Sequence, residues 1–213
     1  MAARAFQSRG YLTGLKRCCE GGLNTPDTIV LPKMLLIGSS GRNAGKTRLA
    51  VRVISNNCSK ADIIGLKVTA VAEKDGVCPR GGDGCGVCSQ MEGEYCIEEE
   101  LNAEGQKDTS LLLRAGARRV FWLRVMKDKI REGVVALLKE LPEDAAVVAE
   151  SNSLRLAVHP GLFLMVADSR SKPKPSAQKV WDLADRIIET DGEEYDTRRI
   201  DTIRLRENGW ECA

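Results

Sequence analysis

A chain of 213 residues is one domain, or one domain with an insertion. Hydrophobic residues at 43% and charged residues at 29% describe ordinary globular composition and exclude a fibrous or wholly disordered chain. Lys and Arg number 32 against 30 Asp and Glu, a net of +2, so no global field argues for nucleic acid or a membrane surface, and no apolar run reaches the roughly 18–20 residues of a membrane helix.

Residues 1–32 read as a poorly ordered N-terminal extension ahead of a domain over 33–213. Arg4, Arg9, Lys16 and Arg17 precede the first acid, Glu20. That composition is like an organellar transit segment, or a start placed upstream of the true one at Met34. There is no apolar region of the secretory type, so the cytoplasm is the expected compartment, where thiols stay reduced. Lys33–Gly38 is a short apolar run ending at glycine and serine, as a buried strand does. Thr47–Ile54 has helical spacing, with Leu49, Val53 and Ile54 on one stripe. Ala61–Val71 reads as a second strand. A Gly- and Cys-rich segment follows, then acids at Glu98, Glu99, Glu100 and Glu104. Thr109–Ala117 is predicted helical, Val120–Val125 a strand, and Lys127–Leu141 a helix ended by Pro142. Ala145–Glu150 and Leu162–Ala167 are strands, Ser176–Glu189 a closing helix, and 200–205 a weak last strand. Alternating strands and helices argue for an α/β domain with a mostly parallel sheet and helices on both faces. Such sheets bind ligands beyond the carboxyl ends of their strands.

Gly38–Thr47 joins the first strand to the first helix. Phosphates need closely spaced backbone N–H groups at the positive end of a helix, which glycines allow. In this reading Gly38, Ser40, Gly41, Asn43, Ala44, Gly45 and Arg48 surround the phosphates. Lys46 reaches the β/γ-phosphates and the Thr47 hydroxyl ligates Mg²⁺. A strict Walker A motif has glycine five residues before Gly45, where this chain has Ser40. The loop is then longer, starting at Gly38, or Gly41 serves instead. The context of strand, loop and helix is that of a P-loop NTPase. Glu150, at the end of an apolar strand, is placed to hold Mg²⁺ through water or to polarise an attacking water. Lys67 sits inside an apolar strand, either as an anion contact or as an edge-strand or snorkelling lysine. Asp168 either accepts a hydrogen bond from a guanine or holds the loop that follows it.

Four pieces in one order resemble the molybdopterin-guanine dinucleotide biosynthesis protein B family. They are the loop Gly38–Thr47, the strand Gly65–Thr69, Lys107–Asp108 followed by Arg114, Gly116 and Ala117, and the strand ending at Glu150. The resemblance spans roughly Met34–Asp168, and only the phosphate loop is specific on its own. It implies a P-loop fold, a GTP-binding accessory role in molybdenum-cofactor biosynthesis and a homodimer. It also implies phosphate contacts from Asp108, Ser110 and Arg114. Two departures stand out: Val68–Val71 replaces the histidines usual after the strand-two lysine, and the family has no comparable Cys-rich insertion.

That insertion, within residues 73–100, carries Cys78, Cys85, Cys88 and Cys96, with gaps of six, two and seven residues. Four thiolates suit a tetrahedral Zn²⁺ or an iron–sulfur cluster, and Cys85-x-x-Cys88 is the chelating pair. The gaps match neither a zinc ribbon nor a ferredoxin run, and a redox-active Cys85–Cys88 pair is the other reading. Cys18, Cys19, Cys58 and Cys212 lack metal spacing. Met91 and Tyr95 read as packing, and His159 as a structural turn residue. The leading expectation is an accessory protein of molybdenum-cofactor or other metallocofactor assembly, binding GTP or ATP with Mg²⁺ and serving a cofactor-assembly enzyme or metalloenzyme client. The alternatives are a small-molecule kinase with an acceptor pocket at Lys67, Asp108 and Arg114, and a non-catalytic nucleotide-binding module. Acids around the cysteines would repel nucleic-acid phosphate.

Overall fold

The computed structural model describes residues 28–71, 91, 93–170, 172–191 and 200–212. Cys78, Cys85 and Cys88, like Cys18, Cys19 and most of the N-terminal extension, lie outside the described residues. The element order is β1 (Ile29–Ser39), α1 (Lys46–Asn57), β2 (Ile63–Val71), β3 (Tyr95–Glu99), α2 (Asp108–Arg114), β4 (Arg119–Met126), α3 (Ile130–Leu138), β5 (Ala146–Glu150), β6 (Val158–Asp168), α4 (Pro175–Gln178), β7 (Arg186–Thr190), β8 (Ile203–Arg206) and β9 (Gly209–Cys212).

Seven strands form one sheet in the order β3-β4-β2-β5-β1-β6-β7, parallel throughout except for the antiparallel edge strand β3. The fold class is α/β, with a mostly parallel sheet flanked by helices. Strand side chains alternate between two faces. Leu35, Ile37, Ile63, Val120 and Val148 share one core with α1 and α2 on one face, while Leu36, Leu66, Leu123, Ala149 and Phe163 belong to a second core, with α3, on the other. In α1, Leu49, Ala50, Val53 and Ile54 are fully buried, and each large apolar side chain contributes about 1.5–3 kcal/mol. Gly65 lets α2 close on the sheet, because a Cβ there would lie 3.0 Å from Val120 and 3.3 Å from Leu112. Gly116, at φ 101°, ends α2 in the left-handed conformation glycine favours.

Pro32 has no N–H for the ladder, and the β1–β6 register shifts beside it, between Leu31 and Leu35. The backbones of Gly161 and Gly209 fill the space at the Pro32 carbonyl, 1.8 and 2.5 Å from where their Cβ atoms would sit. The β8–β9 hairpin is fastened there by the Trp210 indole N–H, which donates to the Lys33 carbonyl at 3.0 Å.

Several expectations are corrected. Ser176–Glu189 is no single helix: α4 is followed by a 3-10 turn at Trp181–Leu183 and then by β7. The open edge of β6 recruits this segment, for Phe163 and Asp185 exchange hydrogen bonds at the start of β7. Glu98 and Glu99 of the acidic stretch fall in β3, where they pair with Arg124 and Arg119 of β4. The helix expected from Lys127 begins as a 3-10 turn, Lys127–Lys129, ahead of α3. Lys67 is not on an edge, since β2 runs between β4 and β5. His159 lies within β6, exposed, rather than in a turn. Among the described residues no helix is long and apolar enough to cross a membrane.

Candidate functional site

The loop from β1 to α1 turns through two left-handed residues, Asn43 at φ 55° and Gly45 at φ 88°. Gly45 is the N-cap of α1, so the helix starts without a side-chain cap, and its first turn carries no acid. A capping carboxylate or hydroxyl normally takes that position. Its absence leaves the positive end of the helix suited to an external anion.

Lys46, first in α1, donates to the Ser39 hydroxyl at 2.6 Å, and Ser39 donates to the Gly41 carbonyl at 2.8 Å. This folds the lysine back over its own loop. The Thr47 hydroxyl donates to Glu150 Oε2 at 3.0 Å, across 103 residues of sequence. Glu150 is 3% exposed, and its Oε1 is buried without a hydrogen-bond partner. Burial pushes the Glu150 carboxyl above the ordinary carboxylate range, opposed by the charges of Lys67 and Lys46 and by the Thr47 hydrogen bond. A hydroxyl and a carboxylate oxygen are hard donors of the kind Mg²⁺ takes. An orphaned buried oxygen beside them is what an ion's inner water would satisfy, so these residues fit a divalent cation.

Asn152 and Ser40 set the loop's root, and the sequence reading assigned Asn152 no role. Asn152 accepts from the Ser39 N–H at 2.8 Å and donates to the Ser39 carbonyl at 2.9 Å. Gly38 lies within β1, and its missing side chain makes room for Asn152, Phe163 and Met165. Its glycine is a packing requirement. Ser40 is buried; its hydroxyl accepts from the Asp168 N–H at 2.9 Å and its carbonyl from the Lys174 N–H at 2.8 Å. The β1–α1 loop and the segment after β6 are therefore bolted together at Ser40.

Set against protein-family models, curated proteins and solved structures, the chain finds no match.

The predicted site residues divide into two groups. Gly41, Asn43, Ala44, Gly45, Lys46, Thr47 and Glu150 share the loop and the carboxyl ends of β1 and β5. Lys67 joins them from β2, directly across from Glu150 in register, and its ammonium pairs with Asp108 at the start of α2. Arg48 is exposed on the first turn of α1. Asp168 lies at the end of β6, and both of its oxygens accept from Arg170, which holds its carboxyl below the usual range. This contact ties Asp168 to the loop that follows it. Arg114 is not brought to the site: it donates to the Ala103 carbonyl from the last turn of α2. Ser110 is turned to Glu100, which also accepts from Thr109 and so closes the start of α2. Cys96 is on β3, and no group of three metal-ligating side chains occurs among the described residues.

Proposed function

We propose that this protein binds a nucleoside triphosphate, GTP or ATP, with Mg²⁺ in a P-loop formed by Ser39–Thr47, and hydrolyses it slowly. The observation that carries the proposal is the Thr47–Glu150 hydrogen bond, beside an orphaned Glu150 Oε1 and next to Lys46. Thr47 and Glu150 would hold the cation, directly or through water, and Lys46 would neutralise the β/γ-phosphates once it leaves Ser39. Mg²⁺ supplies charge neutralisation across the phosphates when bound. Through the cation's water, Glu150 would orient an attacking water. The Ser40 bolt would carry changes in the loop to the segment after β6. In this proposal the protein is an accessory factor in molybdenum-cofactor or other metallocofactor assembly, and Cys78, Cys85, Cys88 and Cys96 bind Zn²⁺ or an iron–sulfur cluster.

Titration calorimetry with Mg·GTP and Mg·ATP tests the nucleotide reading on the wild type, Lys46→Ala and Glu150→Gln. Saturable binding that Lys46→Ala weakens at least tenfold is the expected result. Equal affinity in all three proteins overturns it. Metal and sulfide analysis of protein purified without oxygen tests the cysteine site, and protein free of metal removes that part of the proposal.

A further inference from the structure

The face of the sheet that carries Glu150 changes character abruptly at one height. Below it, Ile63, Gly65, Val120 and Val148 are buried under α1 and α2, and Leu112 of α2 reaches the Gly65–Val120 pair. One step further along the strands, register aligns Glu150, Lys67, Trp122 and Glu98 on β5, β2, β4 and β3. The next step aligns Thr69, Arg124 and Cys96. Residues two apart on a strand share a face, so these seven side chains form one polar crest beyond the start of α2. The interior face of a parallel sheet is ordinarily apolar, and polar groups at the carboxyl ends of its strands mark ligand sites.

Arg124 is the unusual member. Its side chain is 2% exposed, it pairs with Glu98, and its Nη2 lies 3.5 Å from the Cys96 sulfur. The guanidinium sits 4.9 Å from the centre of the Trp122 ring, whose N–H donates to Thr69. Its Nε is buried without an acceptor. A charged group's donor buried without an acceptor is destabilising, so its persistence calls for a partner. Three buried side-chain atoms lack a partner in the described structure, and two of them, Arg124 Nε and Glu150 Oε1, belong to this crest. The carboxylates that form ion pairs with its cations, Glu98 and Asp108, are rim groups, 47% and 38% exposed. Arg124 is the buried cation of the crest and Glu150 its buried acid, while Glu98 and Asp108 are the anions most easily displaced.

We infer that the crest is a binding site for a second ligand: a small molecule bearing a carboxylate or phosphate, held by Arg124 and Lys67 beside Glu150. An oxyanion supplies the acceptor that Arg124 Nε lacks and takes over from Glu98 or Asp108, while Trp122 and Thr69 keep the guanidinium in place. The proposal deepens the nucleotide reading by placing the ligand next to Glu150, but the anion site itself stands on β2 and β4.

The test is proton–nitrogen NMR of the arginine Nε–H groups, titrated separately with inorganic phosphate and with citrate. The Arg124 signal is assigned by its loss in Arg124→Lys, with circular dichroism confirming the fold. The expected result is a saturable shift of that signal with at least one probe, retained in Lys46→Ala, with the midpoint raised roughly tenfold in Lys67→Gln. No shift, or a shift abolished by Lys46→Ala, overturns the crest site. The second of these outcomes places the anion on the phosphate loop and leaves the nucleotide reading intact. A retained shift in a protein that binds no nucleotide supports the crest and removes the nucleotide reading.

Discussion

Asn152 offers the sharpest test of how the loop is held. Its amide serves both backbone groups of Ser39, at 2.8 and 2.9 Å, and Ser39 is fully buried. Asn152→Ala leaves one N–H and one C=O buried without partners, each at a cost of about 1–3 kcal/mol. The alanine also opens space beside Gly38, which water can enter only in part. A loss of about 3 kcal/mol follows, and with a urea slope of about 2 kcal/mol/M the unfolding midpoint falls by roughly 1.5 M. Leu156→Ala is the control, because Leu156 is half exposed at the end of the 3-10 turn Ser153–Leu156 that follows Asn152, and its loss should cost less than about 1 kcal/mol. Urea unfolding followed by tryptophan fluorescence measures both. If Asn152→Ala costs no more than Leu156→Ala, Ser39 has other partners and the account of the loop's root is wrong.

The other predictions concern charge and close approach. Burial raises the Glu150 carboxyl in the folded state, so the folded protein binds this proton more tightly than the unfolded chain. The stability it contributes is present below the unfolded carboxyl value and lost as pH rises through the folded one, at up to about 1.4 kcal/mol per pH unit. The difference in unfolding free energy between wild type and Glu150→Gln should therefore fall with rising pH and then level; a flat difference from pH 4 to 8 defeats the assignment. Gly161→Ala drives a methyl into the Pro32 carbonyl and parts β1 from β6, with an expected loss of at least about 2 kcal/mol by thermal unfolding. An unchanged melting temperature would show that the strands give way freely. Thr47→Val removes the hydroxyl from Glu150 without changing volume, and Mg²⁺-dependent nucleotide affinity should drop roughly tenfold while Mg²⁺-independent affinity holds.

Glycines, the Lys46–Thr47 pair and an acid closing an apolar strand were readable as a loop and its counter-residue, because each is a local pattern. Their meeting across 103 residues followed from strand order, which alternating elements constrain. Asn152 was invisible for the opposite reason: an asparagine after a strand reads as a turn residue until β1 is known to lie against β5. Arg124 was equally hidden, since one arginine in a strand carries no sign that its partners come from an edge strand 26 residues earlier. Glu98 and Glu99 gave no local sign of a strand; their partners, the arginines of β4, lie 26 and 20 residues further on. The closing helix failed because a free sheet edge outweighed helical spacing.

The place of β1 in the sheet has a consequence for the order of synthesis. Its apolar stretch is made first, yet it lies between β5 and β6, the fifth and sixth strands of the chain. Ser39 waits 113 residues for Asn152, which at roughly 5–20 residues per second is about 6–23 s of translation. During that interval Met34–Ile37 has neither neighbour and offers two open edges to other chains. Codon usage and chaperone access between β1 and β5 should govern the yield of folded protein more strongly than the same changes placed after β6.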